Sequence, residues 1–190
     1  MPDHKKGAAT RQRIVNASAE LMAEHGYHGM SLNQILVLAD APKGSVYFHF
    51  PNGKTEIAAA AISAMQAQLS DVLTGIFAAS DSPCEALESV FDFFRKQLQD
   101  SNFRKGCPVA TVALELSGTD SPVAKTCAEV YQRWISDLAQ ALELFLPRQV
   151  AEETAPLIFC LLEGALLVSR TTRDLKPLDD AERLLPSIIE

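Results

Sequence analysis

Pro42-Lys43-Gly44-Ser45-Val46-Tyr47-Phe48-His49-Phe50 is the stretch whose reading decides the fold. Proline is favoured where a helix opens, and Pro51 stops what Pro42 starts, so the stretch predicts one short helix. At about 100° per residue, Val46 and Phe50 fall on one face, which is the face to bury. Lys43, Gly44, Ser45, Tyr47, Phe48 and His49 occupy the rest of the surface. Phe48 points opposite Val46, and a small domain gains nothing by showing that ring to water. A DNA duplex would cover it, because phosphate oxygens accept from Lys, Ser, Tyr and His while a ring rests on a sugar or a thymine methyl. The competing reading, a core helix with Phe48 under a neighbour, would have to hide Lys43 and His49 as well.

Upstream, the chain prepares this helix. Residues 1–9 are polar and small and read as disordered, leaving Lys5 and Lys6 free to reach a phosphate or a minor groove. Thr10 caps a helix with Ile14, Ala17, Leu21 and Met22 on one stripe, and Gly26 followed by Tyr27 ends it. Ser31-Leu32-Asn33-Gln34 is a capping box, with Met30 and Ile35 as its hydrophobic staple. A second short helix therefore covers 32–38, Asp40-Ala41 makes the turn, and the opening stretch follows. Helix, short helix, tight turn and short helix is the helix-turn-helix pattern.

Downstream, a fourth helix starts at Asn52 and runs through Ile57, Ala61, Met65, Leu69 and Ile76 with no linker before it. Ser82-Pro83 opens an aromatic helix with Phe91 and Phe94. Gly106-Cys107-Pro108 breaks the chain before a helix over 109–116. Ser121-Pro122 opens the next, carrying Val130, Trp134 and Leu138 as far as Pro147. A strongly apolar helix spans 151–172 with Pro156 near its first turn, and a last one spans 178–189, frayed by Pro186. Nothing predicts a strand or a repeat. The expected fold is all-α, about nine helices, divided into a DNA-binding domain over 1–54 and a second domain over 55–190.

Composition narrows the function. The chain has 190 residues, 47% of them apolar, enough for one or two cored domains. No apolar run reaches the about 20 residues of a membrane helix and no signal peptide opens the sequence, so a cytoplasmic protein is expected. Cys84, Cys107, Cys127 and Cys160 lack any Cys-x-x-Cys or Cys/His spacing, which predicts reduced, mostly buried thiols, no metal site and no cofactor. Net charge is −7, but residues 1–54 hold six Lys/Arg against four Asp/Glu, a balance of +2, and all four histidines. The remainder is acidic at −9. That asymmetry suits a protein touching DNA at one end.

These motifs together resemble the TetR/AcrR family of transcriptional regulators. The carriers are the helix from Ile14 to Met22, Gly26-Tyr27, Ser31, Lys43-Gly44-Ser45-Val46-Tyr47-Phe48-His49-Phe50 and Lys54. Ala41-Pro42-Lys43-Gly44-Ser45, Pro51-Asn52-Gly53-Lys54 and Arg104-Lys105-Gly106-Cys107-Pro108-Val109-Ala110 are similar to the LmrA/YxaF-like branch. Asp40 departs from the pattern by standing where glycine is usual, and Ala41 is a poor cap. The resemblance implies that Ser31, Tyr47, His49 and Lys54 hold phosphates while Asn33, Lys43, Gly44, Ser45 and Phe48 face bases. It also implies a small-molecule effector, a palindromic double-stranded operator and a homodimer built on a four-helix interface.

Phe91, Phe94, Phe103, Cys107, Trp134, Phe159 and Glu163 are candidates to line the effector pocket, although aromatics at helical spacing serve equally as plain core. Glu163, a carboxylate inside a leucine-rich helix, belongs either in the pocket, where it would favour a cationic or hydrogen-bond-donating ligand, or at the dimer interface. The last two helices carry apolar faces beyond one monomer's needs, with Leu162 and Leu166 as expected interface positions. Two other functions compete. An enzyme with a cysteine nucleophile would need a base, yet no histidine follows residue 49. A purely partner-binding helical protein would show no salt-dependent DNA binding.

Overall fold

A computed structural model describes residues 3–189, without side chains for 3–6 and Pro108. Among the described residues there are ten helices and no strand: α1 (Asp3–His25), α2 (Leu32–Leu38), α3 (Lys43–His49), α4 (Lys54–Ala79), α5 (Pro83–Asp100), α6 (Pro108–Glu115), α7 (Pro122–Leu142), α8 (Arg148–Thr172), α9 (Lys176–Glu182) and α10 (Leu185–Ile189). The all-α expectation holds. The expected last helix is two pieces, because Pro186 has no N–H to return to the carbonyl of Glu182. The chain forms two compact units, one of Met1–Gln66 with Pro108–Val130 and one of Ala67–Cys107 with Tyr131–Glu190.

In the first unit, α1 packs against α2, α3 and α6. It starts at Asp3 rather than Thr10, so residues 3–9 are helical rather than disordered. Ala8 and Ala9 favour the helix, and Gly7 lies beside His49, whose Cε1 is 3.6 Å from where a Cβ would stand, an ordinary contact distance. The side chains of Lys5 and Lys6 lie outside the described residues. Gly26 closes α1 at φ +69, a conformation glycine adopts freely, and its N–H returns to Met22 O at 3.0 Å. The buried Ser18 hydroxyl donates to the Met30 sulfur at 3.2 Å, tying α1 to the start of α2.

The second unit has one contiguous core. Leu87, Phe91, Phe94 and Leu98 of α5 meet Ile158, Leu162 and Leu166 of α8, with Leu178 of α9 and Leu185 of α10. Arg95 binds Asp92, Asp179 and Glu182, pinning α5 to α9. α8 begins at Arg148, three residues earlier than expected, so Pro156 lies inside the helix rather than in its first turn. Leu162 and Leu166 are 7% and 2% exposed and pack into their own core, which corrects their expected place at an interface. Leu157, Leu167 and Val168 on the other side of α8 are exposed instead, with Cys160 and Gly164 between them.

Candidate nucleic-acid interface and effector cavity

The reading head is assembled from locally fixed pieces. Ser31 caps α2: its N–H donates to Gln34 Oε1 at 2.9 Å, while its Oγ accepts from Gln34 N at 3.3 Å. α2 ends in a paired set of return bonds, Asp40 N to Val37 O at 3.3 Å and Ala41 N to Leu36 O at 3.1 Å, with Asp40 left-handed at φ 47. Arg13 of α1 locks that end from outside, donating from Nε to Ala39 O at 2.9 Å and from a terminal nitrogen to Asp40 O at 3.3 Å. The start of α3 has no side-chain cap, as Ala41 and Pro42 require; Pro42 is extended, and α3 begins one residue later than expected.

α3 presents the face read from its sequence. Val46 and Phe50 are fully buried, while Phe48 is 79% and Tyr47 67% exposed. Lys43 and Gly44 are exposed and Ser45 half-buried, and nothing lies within 4 Å of a Cβ built on Gly44, so the backbone is open to close approach there. Asn33 and Lys43 line one open hollow between α2 and α3. His49 is half-buried rather than free, edge-on to Phe48 with ring centroids 4.8 Å apart.

Lys54 is half-buried beside Tyr27. Its Nζ lies 4.5 Å from the centroid of the Tyr27 ring, and the Tyr27 hydroxyl pairs with Thr55 Oγ1 at 3.2 Å. Partial burial pushes the Lys54 ammonium below its ordinary range, opposed by the charge of Glu115. Two groups escaped the sequence reading. Arg11, exposed and 5.1 Å from the Phe50 ring centroid, adds a cation beside α3; the run Arg11-Gln12-Arg13 ahead of the apolar stripe was its signal. Glu115, which accepts the His28 N–H at 2.9 Å, had none, lying 87 residues from its partner.

In the second unit Phe91, Phe94, Trp134, Phe159 and Glu163 line one apolar cavity, together with leucines of α4 and α5. The cavity is partly enclosed. Its volume is about 30 Å³, room for one or two waters. The rings of Tyr131 and Phe159 meet edge-on at 5.4 Å. Glu163 brings the carboxylate, held above its ordinary value by burial and partly relieved by a hydrogen bond with Cys107. Cys107 is in contact with Glu163 but does not itself line this cavity. Phe103 is also off the wall, in the turn after α5 at φ 59, packed on the core.

A capped short helix, a left-handed turn and a second short helix with an outward aromatic and donor face define a helix-turn-helix DNA-binding protein. The chain belongs to the TetR family of bacterial regulatory proteins: that family's model matches residues 14–61, and the LmrA/YxaF-like C-terminal domain of transcriptional regulators matches residues 83–184. It is a transcriptional regulator, as this family's members are, and not an enzyme. An uncharacterised HTH-type transcriptional regulator of Mycobacterium tuberculosis is 32% identical over 94% of this chain and 93% of its own length. LmrA, an HTH-type transcriptional regulator of Bacillus subtilis, is 29% identical over 95% of this chain and 97% of its own. A crystal structure of a TetR-family regulator from Cytophaga hutchinsonii superposes with a TM-score of 0.82 at 26% identity, covering 97% of this chain and 94% of that one. No helix among the described residues is long and apolar enough to cross a membrane.

Proposed function

We propose that the chain is a cytoplasmic repressor that binds a palindromic operator as a homodimer and leaves it when a small hydrophobic or aromatic effector enters the second domain. The observation that carries this reading is α3: a seven-residue helix with a fully buried inner face and with Phe48 and Tyr47 outward. Residues 1–54 form the reading domain. Ser31, Tyr47, His49 and Lys54 meet phosphates, and Asn33, Lys43, Gly44, Ser45 and Phe48 meet base edges. Residues 55–190 supply the effector cavity and the dimer surface. Phe91, Phe94, Trp134, Phe159 and Glu163 receive the effector, with Cys107 supporting Glu163.

A helix this short reads too few base pairs for useful affinity alone, so two copies engage two half-sites about 34–36 Å apart. The exposed strip Leu157–Leu167–Val168 supports the pairing. α4 continues unbroken from Lys54 to Ala79, supplying residues to both units, and offers a stiff path for the switch. The test is fluorescence anisotropy with a labelled duplex enriched from a random pool by the wild-type protein. Tyr47→Ala should keep its circular dichroism and lose about 1–3 kcal/mol of binding. Equal binding by a folded Tyr47→Ala protein would show that α3 is not the reader.

A further inference from the structure

Glu115, the last residue of α6, lies against the turn that links α1 to α2. Gly26 leaves a notch there: a Cβ at that position would overlap the Glu115 carboxylate oxygen. The same carboxylate accepts the His28 N–H at 2.9 Å, so residues 26–28 wrap around it. Tyr27 stands in the middle of this turn, and its ring carries the Lys54 ammonium at 4.5 Å, with its hydroxyl on Thr55. Three observations bear on this glutamate directly, the notch, the hydrogen bond and its electrostatic reach to Lys54, and the Lys54 ammonium in turn lies over the Tyr27 ring.

We propose that Glu115 is a positioning residue for operator binding: seated in the Gly26 notch, it fixes the turn that carries Tyr27 and so sets where Lys54 presents its charge to a phosphate. The inference rests on the reading of Lys54 as a phosphate ligand. It gives α6 a defined output. The helix is eight residues long and follows directly on Cys107, the partner of Glu163. Motion of α6 that withdraws Glu115 releases the turn, lets the Tyr27 ring swing, and costs Lys54 its fixed address without touching α3.

The test is a double-mutant cycle on operator affinity and its salt dependence, using the same labelled duplex. Glu115→Ala should weaken binding about tenfold and lower the salt slope by about one for each Lys54 engaged. In a Lys54→Ala background the same change should cost nothing more. Glu115→Gln keeps an oxygen for the His28 N–H and should stay within about threefold of wild type. Melting curves by circular dichroism identify any variant whose head has unfolded. A Glu115→Ala protein with wild-type affinity, an equal loss in the Lys54→Ala background, or a Glu115→Gln protein as impaired as the alanine variant would each overturn the inference. Those results leave the repressor reading standing. A wild-type protein with no salt-dependent operator binding would overturn that reading and this inference with it.

Discussion

Asp40 holds a left-handed backbone at φ 47 in a position where glycine would carry no steric cost. Aspartate tolerates the conformation better than most residues, but it still bears part of the roughly 1–2 kcal/mol penalty that a Cβ incurs there. Asp40→Gly should therefore raise stability by about 0.5–1 kcal/mol without changing α2 or α3, as a shift in the urea midpoint at constant slope. Glu163 makes the opposite kind of residue-scale statement. Burial raises its carboxyl, so the folded chain keeps that proton to higher pH than the unfolded chain does. The resulting contribution to stability is complete below the ordinary glutamate value and is lost as pH rises through the raised folded value. Glu163→Gln should therefore melt above wild type at neutral pH, and the gap should close on acidification below about pH 4.3, the unperturbed glutamate value. A gap that is constant from pH 4 to 8 would contradict the assignment. Cys127, pushed up to about 11 by burial, should resist alkylation in the native state while exposed Cys160 reacts.

α8 shows what a helix-wheel reading resolves and what it misses. The periodicity of 151–172 marks it as apolar, and that much is visible in the sequence. One stripe, Ile158–Leu162–Ala165–Leu166, is core; a second, Leu157–Gly164–Leu167–Val168, is exposed. Runs such as Leu161-Leu162 and Leu166-Leu167 fill both stripes, so composition alone does not tell which leucine belongs to which. The two faces make contrasting expectations. Leu167→Glu should yield folded monomers in sedimentation velocity at micromolar concentration, with operator binding strongly reduced. Leu166→Ala should cost about 2–5 kcal/mol of stability through a core cavity. Cys160, on the exposed side, should alkylate faster in the Leu167→Glu monomer than in wild type. α3 was far more legible, because Val46 and Phe50 share one face, and burying Phe48 instead would have hidden Lys43 and His49 as well. The start of α1 was not: the polar, small residues 3–9 read as disordered, whereas the helix begins at Asp3 and Gly7 lies near His49, 42 residues away in sequence. Glu115 was invisible because its partner lies 87 residues away.

For the whole molecule, charge and coupling set the measurable behaviour. Residues 1–54 carry +2 and the remainder −9, so attraction to DNA is confined to the head while the acidic remainder suppresses non-specific binding. Lys54, the lysine proposed to meet a phosphate, would neutralise two phosphates in two copies, which predicts a slope of about −1.8 in log affinity against log salt. Binding must also be reciprocal. If an effector weakens operator binding by some factor, operator must weaken effector binding by that same factor. Calorimetric titration of effector with and without duplex, set beside duplex titration with and without effector, checks the equality. A tight ligand with equal affinities in both experiments would not be an inducer.

If the small hollow in the second unit receives the proposed effector, its size also bears on timing. At about 30 Å³ it is far smaller than the roughly 300–1,000 Å³ of pockets that hold organic ligands, so a guest of that class would need the walls to part. If parting precedes entry, the observed association rate climbs with guest concentration and then levels off at the rate of parting, making the lag before derepression a property of the protein rather than of the dose. The molecule carries its own clock for this. Trp134 is the single tryptophan of the chain and stands on the wall of the hollow. Stopped-flow emission at that one indole should show the plateau directly, and trimming a wall residue such as Leu138 to alanine should raise it.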